Sequence, residues 1–280
     1  MASQTGGYYL PNPSGWPLTG SVGIFTLAVG TVMLLNNQSV APWVMLAGAA
    51  IVIYMMFGWF GKVIAESEGG VYNDHVDRSF RMGMAWFIFS EVMFFAAFFG
   101  ALFYMRIFSV PQIADTELLW PNFDGAWPTA GPKGAPFTPM GAWGIPAINT
   151  LLLLTSGATV TWAHWGLLKD NRAQLIIGLI ATVALGIAFL TLQVYEYAHA
   201  YKELGLTLQA GAYGATFFML TGFHGFHVTI GTIMLIVILL RSVKGHFTPE
   251  HHFGFEGVAW YWHFVDVVWL GLFVFVYWLV

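Results

Sequence analysis

Seven blocks of apolar residues, each long enough to cross a lipid bilayer, divide this chain, and they constrain its fold more than any motif does. A hydrocarbon core about 30 Å thick takes about 20 apolar residues of helix. The blocks run over 18–35, 40–61, 79–108, 143–168, 172–201, 211–240 and 256–279, with charge, Pro or Gly clustered between them. Lipid offers the backbone no hydrogen-bond partners, so a span must be a helix or part of a closed barrel. The dyad alternation of barrel strands is absent from the sequence. With 58% hydrophobic and 9% charged residues, the chain has too little polar surface to clothe a water-soluble globule. The expected fold class is an all-α integral membrane protein of seven transmembrane helices.

Charge and residue types narrow the chemistry. The net charge of -4 is spread thinly, and no run of Lys or Arg offers a footprint for nucleic acid. There is no Cys, which excludes disulfides, iron–sulfur clusters and thiolate metal sites and leaves His and carboxylates as the strong ligands. The first twenty residues lack the basic start and apolar stretch of a secretory signal, so the first span is expected to direct insertion. With the N-terminus inside, the inner ends of the spans carry Lys62, Arg78, Arg81, Lys169, Arg172, Arg241 and Lys244, and the outer ends carry Arg106, Lys133 and Lys202. That bias favours the N-terminus inside and the C-terminus outside.

Organisation follows the charge clusters. Residues 1–61 hold the N-terminal segment and two short spans, 62–78 form a polar hinge centred on ESEGGVYNDHVDR, and 79–280 hold five longer spans. Within the last group, 109–142 is the one long connection, rich in Pro and Gly with Trp120, Phe123 and Trp127 interleaved. A loop of that length is expected to cap the bundle or meet a partner. No internal repeat of the transporter kind is evident.

Buried ionisable residues are the candidate functional groups. Glu91, in AWFIFSEVMFFAAFF, lies about ten residues into the third span, roughly 15 Å deep at 1.5 Å per residue. An intramembrane carboxylate is a functional candidate by default. It fits either proton movement or a hydrogen bond to a neighbouring helix or lipid headgroup. His224 and His227, in TGFHGFHV, share one face of the sixth span. His263 and Asp266 of the seventh fall near the same depth, so a polar layer joining the third, sixth and seventh spans is expected. A metal or haem site would need further ligands; helix–helix hydrogen bonds beside Gly222 and Gly225 are the plainer use of the two histidines. Glu196 and His199 form an E-x-x-H pair without a second copy to face it, so a hydrogen-bonded interfacial pair is expected rather than a di-iron centre. The many Phe, Met and Trp residues read as packing and interfacial belt.

The run GHFTPEHHFGFEGVAWYWHFVDVVWLGLFVFVYW at 245–278 closely resembles the end of cytochrome c oxidase subunit III. The likeness extends in family order to NPSGWPLTG at 12–20, SEVMFF at 90–95, TWAHWGL at 161–167 and YGATFFMLTGFHGFHVTIG at 213–231. The resemblance implies two-helix and five-helix bundles separated by a lipid-filled, V-shaped cleft. It implies docking on subunit I of the oxidase, with subunit II and others in the complex, and haems and copper held by those partners. It makes Glu91 the family's intramembrane carboxylate and places Trp59, Lys62, Glu66, Arg78, Arg81, Arg241, Lys244 and His246 near bound phospholipid. The pattern departs from the family where Ala65 precedes Glu66 and Ser67, and where Tyr72 and Asn73 stand near the family's His-Thr pair, with His75 slightly later.

The function so implied is an accessory, lipid-binding subunit of a proton-pumping cytochrome c oxidase, supporting proton uptake and the stability of subunit I while oxygen is reduced to water. No catalytic residue, resident metal or cofactor is expected in this chain. A quinol-oxidising relative is the nearest alternative, and such subunits commonly lack the two early helices. An independent transporter would show repeats or broken helices, and a retinal receptor would need a Lys in its last helix, whereas no Lys follows Lys244. The absence of a targeting segment and an outer loop longer than in mitochondrial versions favour a bacterial plasma membrane over the mitochondrial inner membrane.

Overall fold

In a computed structural model that describes residues 10–280, the regular structure of the described residues is all helical, with no strand. The helices are α1 (Trp16–Leu35), α2 (Ala41–Glu68), α3 (Asp74–Tyr104), α4 (Ile145–Leu168), α5 (Arg172–Lys202), α6 (Gly211–Lys244) and α7 (Phe253–Leu272). Two are prolonged: α3 through a π-helical turn, Met105–Ser109, to Ala114, and α7 through Phe273–Trp278. All seven are long and apolar enough to cross a membrane, as the seven apolar blocks predict.

Local chemistry sets the helix ends. Pro occupies the first turn of α1, α2 and α4, where its missing N–H costs nothing. Asn171 caps α5 by accepting from the Gln174 N–H at 3.1 Å. Gly245 closes α6 in the left-handed region at φ 82°. Arg172 donates to the carbonyls of Ser242 and Val243 at 2.6 and 2.9 Å, placing a cation on the negative end of that helix.

The expected polar hinge is mostly helix. α2 continues to Glu68 and α3 begins at Asp74, leaving a connection of only five residues, 69–73. Helical backbone bonds need no apolar side chains, so both helices run on past the hydrocarbon. Asn73 accepts from the N–H groups of His75 and Val76, each at 3.1 Å, and Asp74 and Asp77 complement the positive end of α3. The third span likewise outlasts its predicted end at residue 108. Its ladder widens where the Val110 N–H reaches the Met105 carbonyl, just before Pro111, which has no N–H to give.

The described chain divides into two compact units, one ending at Phe80 and the other running over Arg81–Val280. In the first, α1 and α2 approach through glycines. A Cβ on Gly30 would lie 2.6 Å from Cγ of Met45, and one on Gly48 2.7 Å from the Leu27 nitrogen. Close approach over small residues replaces the hydrophobic drive that lipid removes. Gly48→Ala is expected to lower stability by about 1 kcal/mol, the low end for overpacking, and the midpoint of SDS unfolding in mixed micelles checks it.

α7 is the centre of the second unit: 56% of its most apolar stretch is buried, against 6% for α2. Trp262 and Trp269 are wholly buried and donate from Nε1 to Ser156 Oγ at 2.8 Å and Thr150 Oγ1 at 2.9 Å, which fastens α7 to α4. The long connection packs onto this unit. Phe137 stacks on Tyr213 with ring centroids 5.3 Å apart, and the Thr138 N–H donates to the Leu204 carbonyl at 2.9 Å.

Candidate functional site in the helix bundle

Glu91, on α3, meets His227 of α6, with Oε2 2.9 Å from Nε2. The other ring nitrogen, Nδ1, lies 2.6 Å from the Phe223 carbonyl one turn earlier. A carbonyl oxygen only accepts, so Nδ1 carries a proton and donates. The contact between Nε2 and the carboxyl then needs one more proton, held either as a Glu91 hydroxyl or on a charged imidazole. Phe95 packs against the His227 ring at 5.0 Å, and Tyr261 stacks on it at 6.3 Å. Among the described residues Glu91 has no other hydrogen-bond or ion-pair partner than His227.

The expected polar layer is split. His224 turns away from His227 and places Nε2 3.2 Å from the Val265 carbonyl of α7, while its rim packs on Phe189 and Trp269. Residues three apart share a helix face, but their side chains reach different neighbours. His263 and Asp266 face α4 rather than α3. His263 Nε2 is 3.2 Å from Thr161 Oγ1, and a Cβ on Gly157 would collide with the Asp266 carboxylate. Both line an apolar groove of about 630 Å³ with Leu154, Trp162 and Trp165.

The Glu196–His199 pair does not form. Glu196 is fully buried and accepts the Tyr277 hydroxyl proton at 2.7 Å, with Gln193 Nε2 at 3.5 Å. His199 points outward to Glu203, 3.0 Å away. The 100° step per residue separates the two directions enough for one side chain to enter the core while the other stays at the surface.

The residues expected near lipid fall into tethered and open sets. In the first unit Lys62 lies 3.9 Å from Glu66, which also accepts from the Tyr72 hydroxyl at 2.8 Å; Trp59 and Arg78 are exposed. In the second, Arg81 pairs with Glu256, and Arg241 sits 4.4 Å over the Phe247 ring. Lys244 is exposed and His246 half-buried. The sequence reading missed Arg172 as a cap for α6, and it missed a group formed by His164, His252 and Glu256. Only the His252–Glu256 spacing, four residues apart on a helix start, pointed to the latter.

Comparison with known proteins agrees with this architecture. A family model described as cytochrome c oxidase subunit III matches residues 6–280. The chain belongs to the cytochrome c oxidase subunit III family. It is similar to cytochrome c oxidase subunit 3 of Marchantia polymorpha, 45% identical over 99% of this chain and 97% of the relative. It is also similar to cytochrome c oxidase subunit 3 of Hippopotamus amphibius and of Formosania lacustris, each 42% identical over 99% of both chains. As a subunit III family member with seven membrane-capable helices, the chain is an integral membrane protein.

Proposed function

We propose that the chain is an accessory, lipid-holding subunit of a proton-pumping cytochrome c oxidase, docked on subunit I beside subunit II and other partners, with the haems and copper in those partners. The observation that carries this reading is how the buried histidines spend their ring nitrogens. His224 turns to a backbone carbonyl of α7, whereas His227 is held between its own helix and Glu91. Two imidazoles aimed at different helices are poorly placed to share a metal or face a porphyrin. The chain acts on oxygen reduction through the partner's surroundings, supporting proton uptake and the durability of subunit I.

In this reading Glu91 and His227 hold a proton without relaying it, because among the described residues the pair continues to no third polar side chain. Its work is to tie α3 to α6 at mid-membrane. Glu91→Gln keeps a hydrogen-bonding group opposite His227 and is expected to leave oxygen reduction within about twofold of the parent. Glu91→Leu strands the Nε2 of His227 and is expected to cost about 1–3 kcal/mol. Oxygen-electrode turnover and SDS unfolding of the two variants check this; a large loss of turnover in Glu91→Gln with unchanged stability would reinstate a relay.

Phospholipid is held, in this reading, by the exposed cations Arg78 and Lys244 and the half-buried Lys62, with Trp59 at the headgroup level, while Glu66, Arg81, Arg241 and His246 shape the polar ends around them. These groups lie on the side proposed to face the cytoplasm or matrix. Purification in mild detergent tests the whole: co-migration with a haem-bearing subunit and retained phospholipid are expected. A lone chain carrying its own haem, or one with transport activity, would overturn it.

A further inference from the structure

His164 comes from the last turns of α4, His252 immediately precedes α7 and Glu256 lies in its first turn. One donor atom from each of these three side chains lies within 4.8 Å of the other two. The family reading gives this group no task.

Its hydrogen bonding is that of a ligand set. His252 Nδ1 is 3.1 Å from the Thr248 carbonyl, so that nitrogen carries the proton and donates. Backbone support of this kind orients metal-bound imidazoles. It turns the Nε2 lone pair toward Glu256 Oε1, 3.2 Å away. A lone pair opposite a carboxylate oxygen needs a proton or a metal ion between them, and a second imidazole beside the pair favours the metal. His164 supplies a second imidazole, edge-on to His252 with ring centroids 5.4 Å apart, and its Nε2 is buried without a hydrogen-bond partner. Arg81 takes the other oxygen of Glu256, fixing the carboxylate and leaving Oε1 to the cluster.

We infer that His164, His252 and Glu256 bind a divalent transition-metal ion of the zinc class, with a fourth position open to water. Two imidazoles and one carboxylate suit zinc rather than magnesium or calcium, which prefer all-oxygen shells. Tetrahedral coordination at about 2.1 Å puts donors roughly 3.4 Å apart. Rotation of His164, which is only half-buried, closes the cluster to that size. Sharing Glu256 with Arg81 weakens the carboxylate as a ligand, so the ion is exchangeable and is removed by chelators. The site rests on this chain's residues alone and stands or falls independently of the accessory role.

The test uses the chain in whatever complex it is purified with. After chelator treatment the preparation is dialysed against zinc, and bound metal is counted by mass spectrometry for the parent, His164→Ala, His164→Gln and, as a control elsewhere in the chain, His199→Ala. One zinc per chain is expected to be lost, or its affinity lowered about tenfold or more, in both His164 variants and retained in the control. Equal zinc in all four overturns the site. Should neither His164 variant accumulate, diethylpyrocarbonate labelling of the parent decides. Zinc is expected to shield His164 and His252 from carbethoxylation while leaving His199 reactive, and labelling of the two unchanged by zinc overturns the proposal.

Discussion

Trp262→Ala is expected to cost the chain about 3–5 kcal/mol of stability, the range for removing a fully buried large aromatic. The indole is 0% exposed and sits where α4, α5, α6 and α7 converge. Two glycines make room for it: a Cβ on Gly186 would lie 3.0 Å from Cη2, and one on Gly231 2.9 Å from Cε3. Its Nε1 donates to Ser156 Oγ at 2.8 Å. In a bilayer the transfer part of this cost shrinks, since separated helices already face apolar lipid. The loss therefore comes mainly from dispersion contacts forfeited around the cavity. Ser156 keeps its own bond to the Leu153 carbonyl at 2.6 Å, so no donor is stranded. Trp262→Phe, which refills most of the space, is expected to cost less than half as much. SDS unfolding in mixed micelles, followed by far-UV circular dichroism, measures both; a Trp262→Ala midpoint matching the parent would show that α7 is not the packing centre.

The spans were legible because hydropathy reports what must face lipid, and each apolar block became a helix. Helix ends were less so. α2 and α3 run on through Lys62, Glu66 and Asp77, residues that polarity marks as hinge although the backbone ladder continues beneath them. Depth was legible as well, since Glu91 does meet His227 at the level counted from the sequence. Rotation about each helix axis was not. Asp266, counted along the sequence to the depth of Glu91, packs against Gly157 of α4, because the facing of α7 is set by Trp262 and Trp269 reaching Ser156 and Thr150. Sequence neighbours such as Glu196 and His199 attract a pairing that the fold denies, and distant partners such as His164 and Glu256 attract none until the fold joins them.

Tyr277→Phe is expected to destabilise the chain by about 3 kcal/mol, the upper end for a buried polar group left without its donor. Glu196 is 0% exposed, and the Tyr277 hydroxyl at 2.7 Å is its one short hydrogen bond. Gln193 reaches the same oxygen only at 3.5 Å, and Oε2 has no partner. The ring of Tyr277 is held separately, by Phe217 at 5.4 Å and Trp269 at 5.8 Å, so the Phe substitution removes the hydroxyl and little else. Glu196→Gln retains an oxygen that can accept from Tyr277 and should cost only about 1 kcal/mol, a typical net hydrogen bond. The decisive comparison is the double change Glu196→Leu with Tyr277→Phe. Removing both partners strands neither the Tyr277 hydroxyl nor the Glu196 carboxylate and leaves only the long Gln193 contact unmet, so the pair of substitutions is expected to cost less than the sum of the singles by about 1–3 kcal/mol. Strict additivity in SDS unfolding would mean that the two groups do not depend on one another. The end of α7 would then be held by the Tyr277 ring on Phe217 of α6 and by the Tyr213 hydroxyl on the Val276 carbonyl.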